Sequence, residues 1–143
     1  MAEGETKLLL DTHALVWTAA GTLESPAADA IVAAARTNGV LVSPVSAWEL
    51  GLLARPRAGT PRIRFAPNLE SWFDTLRARG GFTEAPLTIG ITLGASRLPG
   101  EFHHDPADRL LVATARELDV PLVTRDRLIL DYGAAGHVRT IAC

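Results

Sequence analysis

Short, wholly apolar runs alternate along this chain with longer segments whose apolar positions recur at helical spacing. KLLLD (7–11), VLVS (40–43) and PLVT (121–124) are runs of the first kind, with FTEAPL (82–87) and HVRTIA (137–142) as less uniform companions. Between them lie THALVWTAA from Thr12, PAADAIVAAARTNG (26–39), PVSAWELGLLAR from Pro44, NLESWFDTLRARGG (68–81), TIGITLGASRL (88–98), PADRLLVATARELD (106–119) and RDRLILDYG. Strands apolar at every position are buried on both faces, and a parallel sheet needs helical crossovers between them. The pattern predicts one α/β domain over residues 7–142, a central parallel sheet of about five strands with helices on both faces, and a short extension over 1–6.

Punctuation sharpens the helix starts. Ser43-Pro44 offers an N-cap followed by proline at the first helical position, and Asp105-Pro106 repeats the device. Pro26 opens and Gly39 closes the second helix. RPRAGTPRIRFAP (55–67), rich in proline and arginine, reads as an irregular connector. No repeat, low-complexity tract or interdomain linker interrupts the pattern.

In an open parallel sheet, ligands bind beyond the carboxyl ends of the strands. Four acids belong there. Asp11 closes the first strand, Glu49 lies in the second turn of the helix after VLVS, Asp108 lies in the first turn after the HHD loop, and Asp126 follows PLVT by two residues. Singly, Asp11, Asp105 and Asp126 read as helix caps, with Asp108 favoured by the helix dipole. Glu49 resists that explanation. Its helix is apolar nearly all round and reads as buried, so its carboxylate needs a partner. No lysine or arginine lies three or four positions away, whereas a metal ion would serve. Capping does not predict four acids on one sheet edge. An all-oxygen set suits Mg²⁺, with Mn²⁺ as a substitute, and such a site can activate water against a phosphodiester.

Composition changes the picture little. The chain has 143 residues, 48% hydrophobic and 21% charged, as expected of an ordinary soluble globular protein. Its formal net charge of −2 argues against a nucleic-acid binder until the distribution is considered. With four of the 16 acids set around metal, 14 basic residues face 12 acidic ones, a balance of +2. All the basic residues but Lys7 are arginine, which suits phosphate, though a GC-rich genome gives the same bias. No apolar run approaches the roughly 18 residues of a membrane span. MAEGETK lacks the basic and apolar regions of a signal peptide, and Cys143 is the single cysteine, so a cytoplasmic protein without internal disulfides is expected.

DTHALVW, SPVSAWEL and HHDPADRLLVATARELDVPLVTRD, with the spacing between them, resemble the PIN-domain ribonucleases, and more narrowly the VapC toxins of bacterial toxin–antitoxin pairs. DPADRLLVATA followed by TRD is the most specific part. By residue match, the family's acidic quartet falls on Asp11, Glu49, Asp108 and Asp126, with Asp105 preceding the third acid. Thr124, Thr12 and Ser46 match hydroxyl positions lining the family's site. The resemblance implies Mg²⁺-dependent endonucleolytic cleavage of RNA, a cognate VapB-type antitoxin that blocks the site, and a toxin homodimer.

Other residues carry two readings each. Arg55, Arg57, Arg62 and Arg64 are either solvated charge or contacts to RNA backbone. Arg109 and Arg125 flank site acids and could hold phosphate or orient a carboxylate. His103-His104-Asp105 reads as a cap-bearing loop rather than a transition-metal site, and His13 as a residue lining the cleft. Trp17, Trp48 and Trp72 read as core or interface rather than as base-stacking platforms. A receiver-like phosphoacceptor would need a lysine late in the sheet, and Lys7 is the one lysine. A dehalogenase-type phosphatase would need aspartate where His13 stands. A PIN-like binding module without activity is the non-enzyme alternative, and an intact quartet argues against it.

Overall fold

The computed structural model describes residues 6–24, 26–55, 65 and 67–143. Five strands are described, β1 (Leu8–Leu10), β2 (Val40–Val42), β3 (Phe82–Glu84), β4 (Leu122–Thr124) and β5 (Thr140–Ala142). Seven helices accompany them: α1 (Thr12–Ala20), α2 (Ala27–Ala35), α3 (Pro44–Leu53), α4 (Leu69–Ala78), α5 (Ile89–Ser96), α6 (Pro106–Leu118) and α7 (Arg127–Ala134). The strands form one parallel sheet in the order β3-β2-β1-β4-β5. β1 is central because Leu8, Leu9 and Leu10 are all buried, and only a strand covered on both faces can hold such a run.

Alternation along β1 divides the core. Leu9 joins Leu41 and Leu122 against Ile91, Leu111, Val112 and Ile129 of α5, α6 and α7. Leu8 and Leu10 join Val40 and Val123 against Leu15, Ile31, Leu50 and Leu76 of α1 to α4. Helices therefore cover both faces, as the sequence pattern predicts. α3 contributes Val45 to the first cluster and Leu50 to the second. It bridges the layers and contacts both α1 and α6.

Two expectations change. α2 ends at Ala35 rather than running to Gly39, because Asn38 takes a left-handed conformation and its side chain accepts a hydrogen bond from the Gly81 N–H at 2.9 Å. A Cβ at Gly39 would lie 2.3 Å from the Thr6 carbonyl oxygen, so this close approach requires glycine. α3 is not apolar-buried all round: Trp48 is 56% exposed, with Leu52 and Leu53 also exposed. Periodicity cannot separate a helix buried on all sides from one that leaves an apolar stripe uncovered. Among the described residues, no helix is long and apolar enough to cross a membrane.

Candidate active site

Strand order reverses direction about β1, and the crevice between β1 and β4 opens at their carboxyl ends. Asp11 leaves β1 there. Its Oδ1 caps α1 by accepting the Ala14 N–H at 2.8 Å, and its Oδ2 accepts the Thr124 hydroxyl at 2.5 Å. Thr124, fully buried at the end of β4, in turn accepts the backbone N–H of Asp126 at 3.0 Å. One hydroxyl thus fixes both acids across the crevice. Asp126 caps α7 through Oδ1, which accepts the Ile129 N–H at 3.1 Å. Capping and site membership are therefore compatible for these carboxylates. A helix that begins at the carboxyl edge of a strand puts its cap in the crevice.

α3 brings Glu49 in from the β2 side. The Thr12 hydroxyl hydrogen-bonds Glu49 Oε1 and lies 3.1 Å from the Ser46 hydroxyl, which ties α3 to α1. Its partner is thus a hydroxyl 37 residues away in sequence, and the side chain is half-buried. α6 leads into β4, so its first turn also lies at the carboxyl edge. Asp105 Oδ1 caps it by accepting the Asp108 N–H at 3.0 Å. Asp105 itself is exposed.

The electrostatics show how crowded these carboxylates are. Burial pushes the Asp11 carboxyl above the usual aspartate range, against the lowering effect of its hydrogen bonds from Thr124 and Ala14. Asp108 is pushed up to about 7, first by burial and then by the charges of Asp105, Asp126, Glu49 and Asp11. A cluster that holds a proton this tightly lacks positive charge, and a hard divalent cation among these oxygens would supply it. The carboxylates of Asp11, Glu49, Asp108 and Asp126 line one cleft and offer oxygen donors of the kind such an ion takes. Ligand atoms of Asp108, Asp126 and His103 lie within 4.8 Å of one another, a closer group that includes an imidazole nitrogen.

His103 is the unforeseen member. The HHD loop does carry the α6 cap, but it also sends the His103 ring to the cluster, with Nε2 3.0 Å from Asp108 Oδ2. That nitrogen is buried, and its approach is close without hydrogen-bond alignment. His104 is exposed and has no part in the cluster. The loop's anchor is Arg109, whose guanidinium donates to the carbonyls of Ala95, Phe102 and His103 at 2.9, 3.1 and 3.2 Å. Arg109 is thereby spent on backbone rather than held out for phosphate. No pattern in the sequence announces this, because carbonyl oxygens are available everywhere.

A cleft of about 370 Å³ is lined by Asp11, Thr12, His13, Trp17, Glu49, Asp108, Leu111, Arg125 and Asp126. The four acids thus share one cavity, and His13 lines it as expected. Trp17 lines it too, instead of lying in the core, with the Arg125 guanidinium 4.0 Å over its ring. Trp72 packs edge-on against Phe65 and Phe73. A larger open depression of about 910 Å³ between α6, α7 and β5 contains none of the four acids. Its arginines, Arg116 and Arg139, donate to the carbonyls of His137 and Asp119, so they are not held out for a ligand. Arg55 is exposed just beyond α3, and Arg57, Arg62 and Arg64 lie outside the described residues.

The PIN domain family model matches residues 8–134. Ribonuclease VapC22 of Mycobacterium tuberculosis (strain ATCC 25618 / H37Rv) is 38% identical over 133 residues, 89% of this chain and 92% of that protein. Among solved structures, VapBC2 from Rickettsia felis, bound to a DNA fragment from its promoter, superposes with a TM-score of 0.68 at 16% identity. That match covers 95% of this chain and 98% of the other. DNA-bound VapBC from Salmonella typhimurium gives 0.64 at 13% identity, covering 95% and 97%. The chain belongs to the PIN-domain family, alongside the VapC ribonucleases.

Proposed function

We propose that this protein is a metal-dependent endoribonuclease, the toxin of a cytoplasmic toxin–antitoxin pair. One observation carries the reading: Asp11, Glu49, Asp108 and Asp126 arrive from four separate segments and line a single cleft at the carboxyl edge of the sheet. The ribonuclease relative supports RNA as the substrate. Mg²⁺, or Mn²⁺ in its place, would be held by these four carboxylates, and when bound it supplies Lewis-acid activation of water and neutralises charge at the phosphodiester. The chain's own residues set the stage for that chemistry. Thr124 holds Asp11 and Asp126 in register, and Thr12 with Ser46 holds Glu49. Asp105 fixes the first turn of α6 and hence the height of Asp108. Water attacking phosphorus at such a site would form the new P–O bond as the P–O3′ bond breaks, so the 3′ oxygen would leave, take up a proton and end as a 3′-hydroxyl, and the other product would carry a 5′-phosphate.

The VapBC structures that share the fold support a VapB-type antitoxin as partner. The exposed stripe Trp48, Leu52 and Leu53 on α3, the helix that also carries Glu49, is the surface such a partner would cover to block the cleft. Ile89 and Leu93 on α5 leave a second apolar face for the homodimer. The test is cleavage of single-stranded RNA by the purified chain in Mg²⁺ or Mn²⁺. Asp11→Asn and Glu49→Gln should each remove cleavage while leaving the fold intact by circular dichroism. Undiminished cleavage in both variants would refute the reading.

A further inference from the structure

The wall of the cleft contains chemistry that the four acids do not use. His13 and Trp17 stand one turn apart on α1, the helix that Asp11 caps, and their ring centroids are 5.7 Å apart. The guanidinium of Arg125, the residue before Asp126, lies 4.0 Å over the Trp17 ring. Its Nε donates to the Cys143 carbonyl at 2.9 Å, just past β5, the strand paired with β4, which fixes the side chain. His13 and Arg125 are exposed and Trp17 is half-buried, so the wall faces solvent.

The charge pattern makes this wall more than a surface contact. Among the described residues, Arg125 is the one arginine or lysine lining a cleft that holds four carboxylates. It nevertheless forms no ion pair with any of them, whereas Arg77, Arg127 and Arg139 each pair with an aspartate elsewhere. With its face stacked on Trp17 and its Nε engaged by the Cys143 carbonyl, the exposed guanidinium offers a phosphate its remaining Nη donors. Because the stack and the Cys143 bond already order the side chain, little entropy remains to be lost when an anion binds.

Resting on the ribonuclease reading above, we infer that His13, Trp17 and Arg125 form a subsite for a single unstacked nucleotide next to the scissile bond. The edge of Arg125 holds its phosphate, and its base stacks on the aromatic and guanidinium layer. A base can reach that layer only after leaving a helical stack, so the site takes single-stranded RNA over duplex.

The test uses the Trp48→Phe, Trp72→Phe double variant of the full chain, in which Trp17 is the only tryptophan. A single-stranded octaribonucleotide with a 5′ fluorophore is mixed with it in Mg²⁺ in a stopped-flow instrument, before cleavage proceeds. Trp17 emission should be quenched in step with the rise in anisotropy of the label, and a duplex of the same sequence should do neither at equal concentration. In the wild-type background, Arg125→Gln should weaken binding about tenfold and flatten the salt dependence by about one unit of slope. Trp17→Leu should weaken binding by a similar factor, about tenfold, without flattening that slope. Anisotropy that reports tight binding while Trp17 emission stays constant and Arg125→Gln binds normally would overturn the inference. Absence of RNA binding by both readouts would overturn the ribonuclease reading beneath it.

Discussion

Asp108→Asn isolates the repulsion on which the metal argument depends. The Asp108 carboxyl is pushed from 3.8 to about 7 by burial and four neighbouring acids. Because the folded-state value lies above the unfolded one, the native state binds this proton more tightly. Stability without metal is therefore highest in acid, falls as pH rises from about 4 through 7, and levels off above that. A shift of that size is worth at most about 4 kcal/mol over the whole titration. With the side chain 22% exposed, solvent screening brings it to about half. Roughly 60% of the effect lies between pH 5 and 8, so wild type in EDTA should lose about 1 to 1.5 kcal/mol over that range relative to Asp108→Asn. The raised Asp11 carboxyl adds a loss of the same sign to both proteins, which cancels from the comparison. At pH 8, Mg²⁺ at a hundredfold excess over Kd should return about 2.7 kcal/mol to wild type and much less to the variant. The assay is urea unfolding of both proteins at pH 5 and pH 8, in EDTA and in Mg²⁺. Equal pH dependence in the two proteins, or equal stabilisation by Mg²⁺, would refute the reasoning.

Three further outcomes follow from the same geometry. Asp126→Asn keeps a residue that caps α7 about as well, so stability in EDTA should not fall, while the Mg²⁺-induced gain and RNA cleavage should be lost; an unchanged Mg²⁺ gain would remove Asp126 from the metal set. Thr124→Val leaves the Asp11 carboxylate and the Asp126 N–H without their shared hydroxyl, and thermal unfolding should show a loss of about 1 to 3 kcal/mol. Arg109→Gln should cost stability on a similar scale, about 1 to 3 kcal/mol, by freeing the loop carbonyls, yet leave the salt slope of RNA binding unchanged; a flatter slope would mean that Arg109 meets phosphate after all.

The parts of this molecule that could be read from sequence are those governed by local rules. β1, β2 and β4 are apolar at almost every position because a central parallel strand has no solvent face. Ser43-Pro44 and Asp105-Pro106 announce α3 and α6 because a cap works within three residues. Asp11 and Asp126 were legible as caps and as members of the acidic edge for one reason, since each helix starts where its strand ends. What stayed hidden depends on partners far away in sequence. Glu49 meets a hydroxyl on α1, and α2 stops where Asn38 can bond Gly81. The HHD loop delivers His103 to Asp108 only because Arg109 ties down its carbonyls. Trp17 looked like core because an aromatic on an apolar helix usually is, and nothing local shows that Arg125 would lie over it.

If four carboxylates with a divalent cation direct water onto an RNA phosphodiester, the chemistry of the fragment ends records it, determined with a single-stranded RNA substrate in Mg²⁺ and again in EDTA. Fragments should carry 5′-phosphate and 3′-hydroxyl ends in Mg²⁺, and none should form in EDTA. Fragments ending in 2′,3′-cyclic phosphate, or cleavage undiminished by EDTA, would contradict it.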